Sequence, residues 1–347
     1  MYHLSQCRRA VCFAAALALV AAGCATPLAD GPTTPDGEQA DVAGPSTVAA
    51  DGDASPDGDA DGEGATDEGM SDDEAMGDAP AATEPVPTTA AELAPALSEA
   101  ELAVRRTDAT PAERAAWGHR QQRLYRVLAV NPGWLDEVTA AVDPSVRTAV
   151  ERNTTARVEL NALLAGYEPG DTLPAWRVAE PKPAEELLGY YREAAERHNV
   201  PWEVLAAINL VETRMGRING VSSAGAQGPM QFLPSTWEEC CEGDPTDDRD
   251  AINGAAQYLV DRGAPGDMAR AIFGYNNSDA YVAAITAYAD VLTENPDAYY
   301  GYHGWQVYYS SAAGLLLLPV GYEESEPIDA AQWLAANPDQ RLVLGDS

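Results

Sequence analysis

The sequence predicts a mainly α-helical protein with a small β-hairpin near its C-terminal end. Apolar residues recur every three or four positions through two long stretches, 96–180 and 181–292, which is the spacing of helices with one buried face. Residues that commonly start or stop helices stand at the ends of these patterns. After 293 the pattern changes to two short aromatic and aliphatic runs, which are typical of paired strands.

The first 23 residues have the composition of a signal peptide. Arg8 and Arg9 precede an apolar run, 10–22, that is too short to cross a membrane as a helix. Gly23 and Cys24 follow, and the small residues before Cys24 resemble the lipobox of bacterial lipoproteins. The resemblance implies lipidation of Cys24 and attachment to the outer face of a membrane. Simple cleavage and secretion is the alternative.

An acidic linker is predicted over 24–95. Its composition from Asp30 to Pro95 is dominated by Asp, Glu, Gly, Ala, Pro and Thr, and it contains no lysine or arginine. Such a segment cannot bury enough apolar surface to fold. It carries much of the net charge of −34, which we interpret as favouring solvation rather than a basic partner.

One stretch of the linker fits the spacing of a calcium-binding loop. Its residues are Asp57, Asp59, Asp61, Gly62 and Glu68. Gly64 occupies the position where an apolar residue is usual, and neither flank has a helical pattern. We therefore predict no metal site here, because Asp-Gly repetition produces such matches easily.

The stretch 96–180 predicts helices but no chemistry. Leu124, Val127 and Leu128 recur at helical spacing, and Pro132 and Pro144 mark turns. Three interpretations remain open: a helical hairpin packed on the following domain, a spacer, or a partner surface.

A helix that carries a glutamate is predicted shortly after 199. Pro201 suits the first helical position, Asn199 is a candidate N-cap, and Gly216 is a candidate stop. Glu212 falls on the apolar stripe of this helix, whose other members are Leu205, Ile208 and Met215. Burial would raise the pKa of such a carboxyl and keep its proton near neutral pH. The alternative is a glutamate on the rim, paired with Arg214 or Arg217.

The sequence after this helix predicts a tight polar loop. Gly225 and Gly228 allow the backbone to approach a ligand closely, and Ser222, Ser223 and Gln231 offer neutral donors and acceptors. These groups suit hydroxyl and N-acetyl substituents of a sugar. No lysine or arginine lies between 217 and 249, so a phosphate-binding loop lacks its usual cation.

At these residues the chain resembles the lysozyme-like lytic transglycosylases of bacterial peptidoglycan, in particular the soluble-lytic-transglycosylase catalytic domain. The likeness covers about 184–292. Five ordered motifs carry it: Glu212, Ser222, 225–231 (GAQGPMQ), 251–259 (AINGAAQYL) and 274–276 (GYN). The segment 212–217 (ETRMGR) is similar to the membrane-bound B-type branch. Pro229 and 277–278 (NS) depart from the family pattern.

The resemblance implies a lysozyme-like helical fold over 181–292 and a reaction without cofactor. Glu212 would protonate the glycosidic oxygen between N-acetylmuramic acid and N-acetylglucosamine. It would then act as base on the C6 hydroxyl of the muramic residue, which gives a 1,6-anhydro product. No Asp or Glu lies between 212 and 238, which is consistent with one catalytic carboxyl.

Substrate-binding roles also follow from the resemblance, and they fall on Ser222, Ser223, Gln231, Tyr275 and Asn276. A phenol hydrogen bond from Tyr275 would orient the catalytic carboxyl, or Tyr275 would be a buried structural tyrosine. The serine at 222 and the glutamine at 231 would contact the glycan or stabilise their own turn.

The C-terminal extension, 293–347, predicts a hairpin formed by 305–309 and 315–320. Its aromatic residues would stack on sugars or close the hydrophobic side of the domain. Cys240 and Cys241 are a free pair, a disulfide between neighbours or an intermolecular link, and alone they lack the further ligands of a metal site.

Three functions are consistent with these features. The first is a lytic transglycosylase, the second is a lysozyme-type hydrolase that uses Glu212, and the third is a non-catalytic peptidoglycan-binding lipoprotein. All three place the protein in the cell envelope, with peptidoglycan glycan strands as the partner and the membrane reached through Cys24. We expect no nucleic-acid partner; protein partners are not predicted.

Overall fold

A computed structural model describes residues 79–344. The predicted signal peptide, the lipidation site at Cys24 and the calcium-loop pattern at 57–68 lie outside the described residues. The predicted mainly α-helical fold is confirmed: long helices dominate, and the strands are short and antiparallel.

Four helices precede the stretch that carries Glu212. They are α1 (Ala90–Ala103), α2 (Pro111–Val130), α3 (Leu135–Ala141) and α4 (Arg147–Ala162). Thr110 and Glu113 form a reciprocal capping box at the start of α2, which fixes where that helix begins. The α2 and α4 helices contact each other, and α4 packs along a helix of the following region, α10 (Asp279–Glu294). The region therefore packs on the following helices, as four helices rather than one hairpin, and its interpretation as a partner surface stays a prediction.

In the central region, the helix that carries Glu212 lies among the other helices. The helices of this region are α5 (Ala184–His198), α6 (Trp202–Thr213), α7 (Pro234–Cys240), α8 (Asp248–Asp261) and α9 (Met268–Tyr275), followed by α10. Side chains of Asp247, Asp267 and Ser278 cap α8, α9 and α10 at their first turns. The α6 helix contacts α5, α8 and α10, so it is enclosed on several sides.

The C-terminal part contains the predicted hairpin. After α11 (Ala298–His303), strands β4 (Val307–Ser311) and β5 (Gly314–Leu318) pair antiparallel from Val307 opposite Leu318 to Ser311 opposite Gly314. This confirms the hairpin. A short helix, α12 (Ala330–Ala336), follows. Side chains of both strands lie in a small second core rather than at an exposed aromatic surface. This agrees with the prediction that they close the hydrophobic side of the domain.

Two-residue strands tie distant segments together. Strand β1 (Thr172–Leu173) pairs with β6 (Ile328–Asp329), and β2 (Arg177–Val178) pairs with β3 (Ile218–Asn219). The main hydrophobic core is one cluster whose first and last members in the sequence are Ala90 and Trp305. The predicted boundaries at 180 and 292 stay predictions, although residues on both sides of each contribute to this core.

The structure differs from the predictions at two helix ends, and the capping residues explain both differences. The predicted linker reaches 95, yet α1 begins at Ala90, because Thr89 accepts a hydrogen bond from the Glu92 amide and Leu93 is fully buried. Asn199 adopts a left-handed conformation and ends α5 rather than capping the next helix.

Three further findings concern membrane spans, the cysteines and metal-binding groups. No helix within residues 79–344 is long and apolar enough to span a bilayer. Cys240 and Cys241 form a disulfide, with an S–S distance of 2.03 Å, which selects one of the three predicted states. No group of three or more potential metal-binding side chains is found in the same range of residues.

Candidate active site

Glu212 lies in the last turn of the most enclosed helix. Every side chain from Val204 to Thr213 in α6 is buried, and Glu212 is 1% exposed. The sequence pattern correctly predicts the burial of Glu212, but it implies a single packed face, whereas this helix is buried on all sides. The helix ends at Thr213, because Arg214 and Met215 adopt left-handed conformations ahead of Gly216.

The two carboxyl oxygens of Glu212 have different surroundings. Oε1 accepts a hydrogen bond of 2.6 Å from the hydroxyl of Tyr281. Oε2 is buried and has no hydrogen-bond partner among the described residues. Since Oε1 is already an acceptor, the proton of the neutral acid belongs on Oε2.

The environment of Glu212 favours this protonated form. Burial raises the pKa of Glu212 to about 8, while the Tyr281 hydrogen bond and the positive charge of Arg214 act in the opposite direction. Desolvation outweighs both opposing effects. At neutral pH the group is therefore a proton donor, which is the state that general acid catalysis requires.

The alternative of a rim glutamate paired with arginine is not observed. The Arg214 guanidinium donates through Nη1 to the carbonyl of Leu210, in the preceding helix α6. Arg217 forms an ion pair of 3.1 Å with Glu180. Neither arginine forms a salt bridge with Glu212 in the described part of the chain.

The polar loop 222–232 is tight, as the sequence predicts, and it folds back on itself. The Gln227 and Phe232 backbones exchange two hydrogen bonds of 2.9 and 3.0 Å. Gly228 has a positive φ of 74°, and a β-carbon there would lie 1.8 Å from the carbonyl oxygen of Pro245. Gly228 therefore serves close backbone packing rather than approach to a ligand.

Side chains near Glu212 hold this loop by its carbonyl groups. Asn209 and Thr213 donate hydrogen bonds of 2.7 and 2.6 Å to the carbonyl of Pro229. Tyr275 donates one of 2.7 Å to the carbonyl of Met230. Because Thr213 directly follows Glu212, these bonds fix the loop against the end of the helix that carries the carboxyl.

An aromatic cluster supports the same loop from behind. Phe232 makes edge-to-face contacts with Trp237, Tyr258 and Tyr275, at centroid distances of 5.1, 5.8 and 5.7 Å. All four side chains are buried. They form part of the core and do not present a stacking surface for sugars.

The structure gives the predicted binding residues different environments. Ser222 Oγ accepts from the Ala226 amide, and Gln231 donates to the carbonyl of Gly228, so both stabilise their own turn. Ser223 is exposed at the loop surface. Asn276 is 9% exposed and follows the end of α9.

The tyrosine that contacts Glu212 is Tyr281, which the sequence analysis missed. The amino-acid sequence contains a signal for it: Tyr281, Ile285 and Tyr288 recur at helical spacing, and all three are buried in α10. A phenol in an apolar stripe needs a hydrogen-bond partner, and a buried carboxyl is a suitable one. The bond expected from Tyr275 to the carboxyl is replaced by one to the loop.

A comparison with known protein families identifies the region around this site. The family model of the transglycosylase SLT domain matches residues 189–295. The match supports a relationship to the soluble lytic transglycosylases and, in general terms, an enzyme that acts on peptidoglycan in the cell envelope. It includes Glu212, the loop and Tyr281. No curated protein and no solved structure matches the chain.

Proposed function

We propose that the chain is a lytic transglycosylase that cleaves the β-1,4 bond between N-acetylmuramic acid and N-acetylglucosamine and forms 1,6-anhydro products. Glu212 is the single acid and base. The observation that carries this proposal is the buried Glu212 carboxyl, with a pKa of about 8 and an Oε2 that has no partner among the described residues.

The proposed reaction balances without water. Oε2 gives its proton to the glycosidic oxygen, and the bond from that oxygen to C1 of the muramic residue breaks. The C6 oxygen of the same residue forms a bond to C1 and releases its proton to the Glu212 carboxylate. The acid is restored, and the muramic product is lighter by one water than a hydrolysis product.

One carboxyl suffices for this scheme, whereas hydrolysis by most glycosidases uses two. The charged group that acts on the pKa of Glu212 is Arg214, a cation. No Asp or Glu stands between 212 and 238 in the sequence. Both facts favour the transglycosylase over the hydrolase.

Access to the carboxyl requires movement. Glu212 is 1% exposed and Oε2 is shielded from solvent, so a glycan strand reaches it only after covering groups move. We infer that the loop 222–232 moves, and that this movement breaks the hydrogen bonds from Asn209 and Thr213 to the Pro229 carbonyl.

The proposed substrate contacts divide into two kinds. Ser223, whose side chain is exposed, contacts the glycan directly, and Asn276 becomes available when the loop moves. Ser222, Gln231 and Tyr275 act through the loop, which their hydrogen bonds shape.

The proposed location is the cell envelope, with Cys24 as the lipid anchor and a signal peptide before it. The likeness of 212–217 to the B-type branch supports a membrane-bound enzyme. Radiolabelled palmitate incorporation that is lost in Cys24→Ala tests the anchor. Incorporation that persists in Cys24→Ala would contradict it.

Digestion of purified peptidoglycan tests the activity. Mass spectrometry of the products is expected to show anhydro-muramyl ends with wild-type protein and no products with Glu212→Gln. Ordinary reducing ends would support the hydrolase. Unchanged digestion by Glu212→Gln would remove Glu212 as the acid, and no digestion by a folded wild-type protein would favour the non-catalytic binder.

A further inference from the structure

A group of arginines without acidic partners lies beside the candidate active site. Arg126 comes from α2, Arg157 from α4 and Arg214 from the end of α6; Arg126 and Arg214 are 6% and 3% exposed. Among residues 79–344, none of the three forms a salt bridge. The chain has 55 acidic and 21 basic residues, so acidic partners are not in short supply.

These arginines repel one another and are poorly solvated. Burial lowers the pKa of Arg126, and the charges of Arg157 and Arg214 lower it further. The Nε atoms of Arg126 and Arg214 are buried and have no hydrogen-bond partner among the described residues. A buried cation without a partner is costly, and an anion bound between the guanidinium groups would offset that cost.

A cavity of about 180 Å³ lies against two of these arginines, Arg126 and Arg157, and Arg214 is not among its lining residues. Arg126, Arg157, Asn161 and Ser310 form its polar side. Leu164 and Leu315 are among the apolar residues on its walls. We call this cavity the arginine pocket. Its volume exceeds the roughly 10–15 Å³ that holds one water, so a molecule of several heavy atoms fits.

The guanidinium of Arg126 is held in place without using its N–H groups. Its central carbon lies 4.6 Å from the ring centroid of Tyr308, which is a cation–π contact. The N–H donors at the edge of the guanidinium stay available. Arg152, on the same helix as Arg157, shows the ordinary arrangement: it is half exposed and lies 3.5 Å from Asp290.

We propose that the arginine pocket binds an organic oxyanion, a carboxylate or phosphate carried on a short aliphatic body. Guanidinium groups bind both oxyanions with two parallel hydrogen bonds, and the leucine side chains contact the aliphatic part. The pocket brings together α2, α4 and the β4–β5 hairpin, which gives a binding role to segments on both sides of the matched domain.

Anion binding at the arginine pocket is measured without peptidoglycan, so it is tested separately from peptidoglycan cleavage. The full chain is titrated with butyrate, propyl phosphate and inorganic phosphate at constant ionic strength, and the melting temperature is followed. Butyrate, propyl phosphate or both are expected to raise it saturably. The two organic probes identify the preferred head group, and inorganic phosphate lacks the aliphatic body.

Matched variants locate the effect. Arg157→Gln is expected to weaken binding at least tenfold, whereas Arg152→Gln, which removes the same charge from the same helix, leaves it unchanged. No saturable rise with either organic probe, or an equal response of both variants, overturns the proposal. Inorganic phosphate binding as tightly as propyl phosphate overturns the aliphatic part.

Stability in a buffer that contains neither carboxylate nor phosphate separates a binding arginine from a structural one. Arg126→Met removes an unpaired buried charge and keeps an apolar side chain against Tyr308. The urea midpoint is expected to equal or exceed that of wild type, and the response to the organic probes is expected to be lost. A clear fall in the midpoint would show that Arg126 is structural, while Arg157→Gln, at a half-buried position, tests the pocket independently.

Discussion

The Tyr281 hydroxyl donates a 2.6 Å hydrogen bond to Oε1 of Glu212 and leaves Oε2 without a partner in the described part of the chain. This contact assigns different roles to the two oxygens, one as an acceptor and one as the site of the proton. It also joins the end of α6 to the start of α10. The geometry of the candidate acid is therefore set by a residue that comes 69 positions later in the sequence.

Removal of this hydrogen bond is expected to shift the pH dependence of cleavage. The bond lowers the pKa of Glu212, so Tyr281→Phe raises it. Activity in wild type falls as pH rises through about 8, where the acid loses its proton. In Tyr281→Phe this fall moves to higher pH, and the maximal rate drops by about tenfold because the carboxyl is less well oriented. A pH–rate profile of peptidoglycan digestion measures both effects.

Tyr275→Phe is the matched control for that experiment. The Tyr275 phenol donates to the carbonyl of Met230 and not to Glu212. Its loss is expected to lower the rate through the loop while the basic limb of the profile stays in place. If both variants shift this limb equally, the distinct role of Tyr281 is wrong.

Glu212 is expected to make the fold less stable as pH rises. Between its ordinary pKa of 4.5 and about 8, the unfolded chain is ionised at this position while the folded chain keeps the proton. The folded state thus binds more protons, so the free energy of unfolding contributed by this group falls by up to about 1.4 kcal/mol per pH unit in that window.

Urea unfolding at pH 5, 6.5 and 8 measures this effect. Glu212→Gln removes the titration, so its stability relative to wild type is expected to increase steadily with pH, whatever constant offset the amide introduces. A difference that does not change between pH 5 and 8 would mean that the carboxyl titrates normally.

The sequence predicts the positions of the helices and the burial of Glu212 more completely than it predicts the contacts between helices. Periodicity and capping residues act over a few positions, so α6 and the β4–β5 hairpin follow from local pattern. The pairing of Glu212 with Tyr281 depends on how α6 and α10 cross, which no local pattern encodes. The same limit explains Tyr275, whose phenol bonds to the loop because the loop lies between it and α6.

Ser222 and Gln231 illustrate a second limit. Short polar side chains suit both ligands and their own turns, and the sequence left both alternatives open. The loop places Ser222 Oγ at the Ala226 amide and the Gln231 amide at the Gly228 carbonyl, which satisfies both turns internally. Only the folded loop distinguishes the alternatives, because the decisive partners are backbone groups whose positions depend on the turn.

The hydroxyl of Thr213 is expected to be important for loop position. It donates to the Pro229 carbonyl at 2.6 Å and accepts from the Gly216 amide at 3.0 Å. Thr213→Val leaves the amide without a partner, so a loss of about 1–3 kcal/mol in the free energy of unfolding and reduced digestion are expected. Thr155→Val, at an exposed site in α4, is the control and should change stability by less than about 0.5 kcal/mol. Equal losses in the two variants would contradict the anchoring role.

Gly225 and Gly228 form a matched pair for testing the loop. Both have positive φ, 86° and 74°, so alanine at either position is strained by about 1–2 kcal/mol. A β-carbon at Gly225 meets no heavy atom within 4 Å, whereas at Gly228 it meets the Pro245 carbonyl oxygen at 1.8 Å. Gly228→Ala must therefore displace backbone and is expected to cost about 3 kcal/mol or more. Urea denaturation of both variants checks this difference, and losses of similar size would show that the loop does not pack against Pro245 as described.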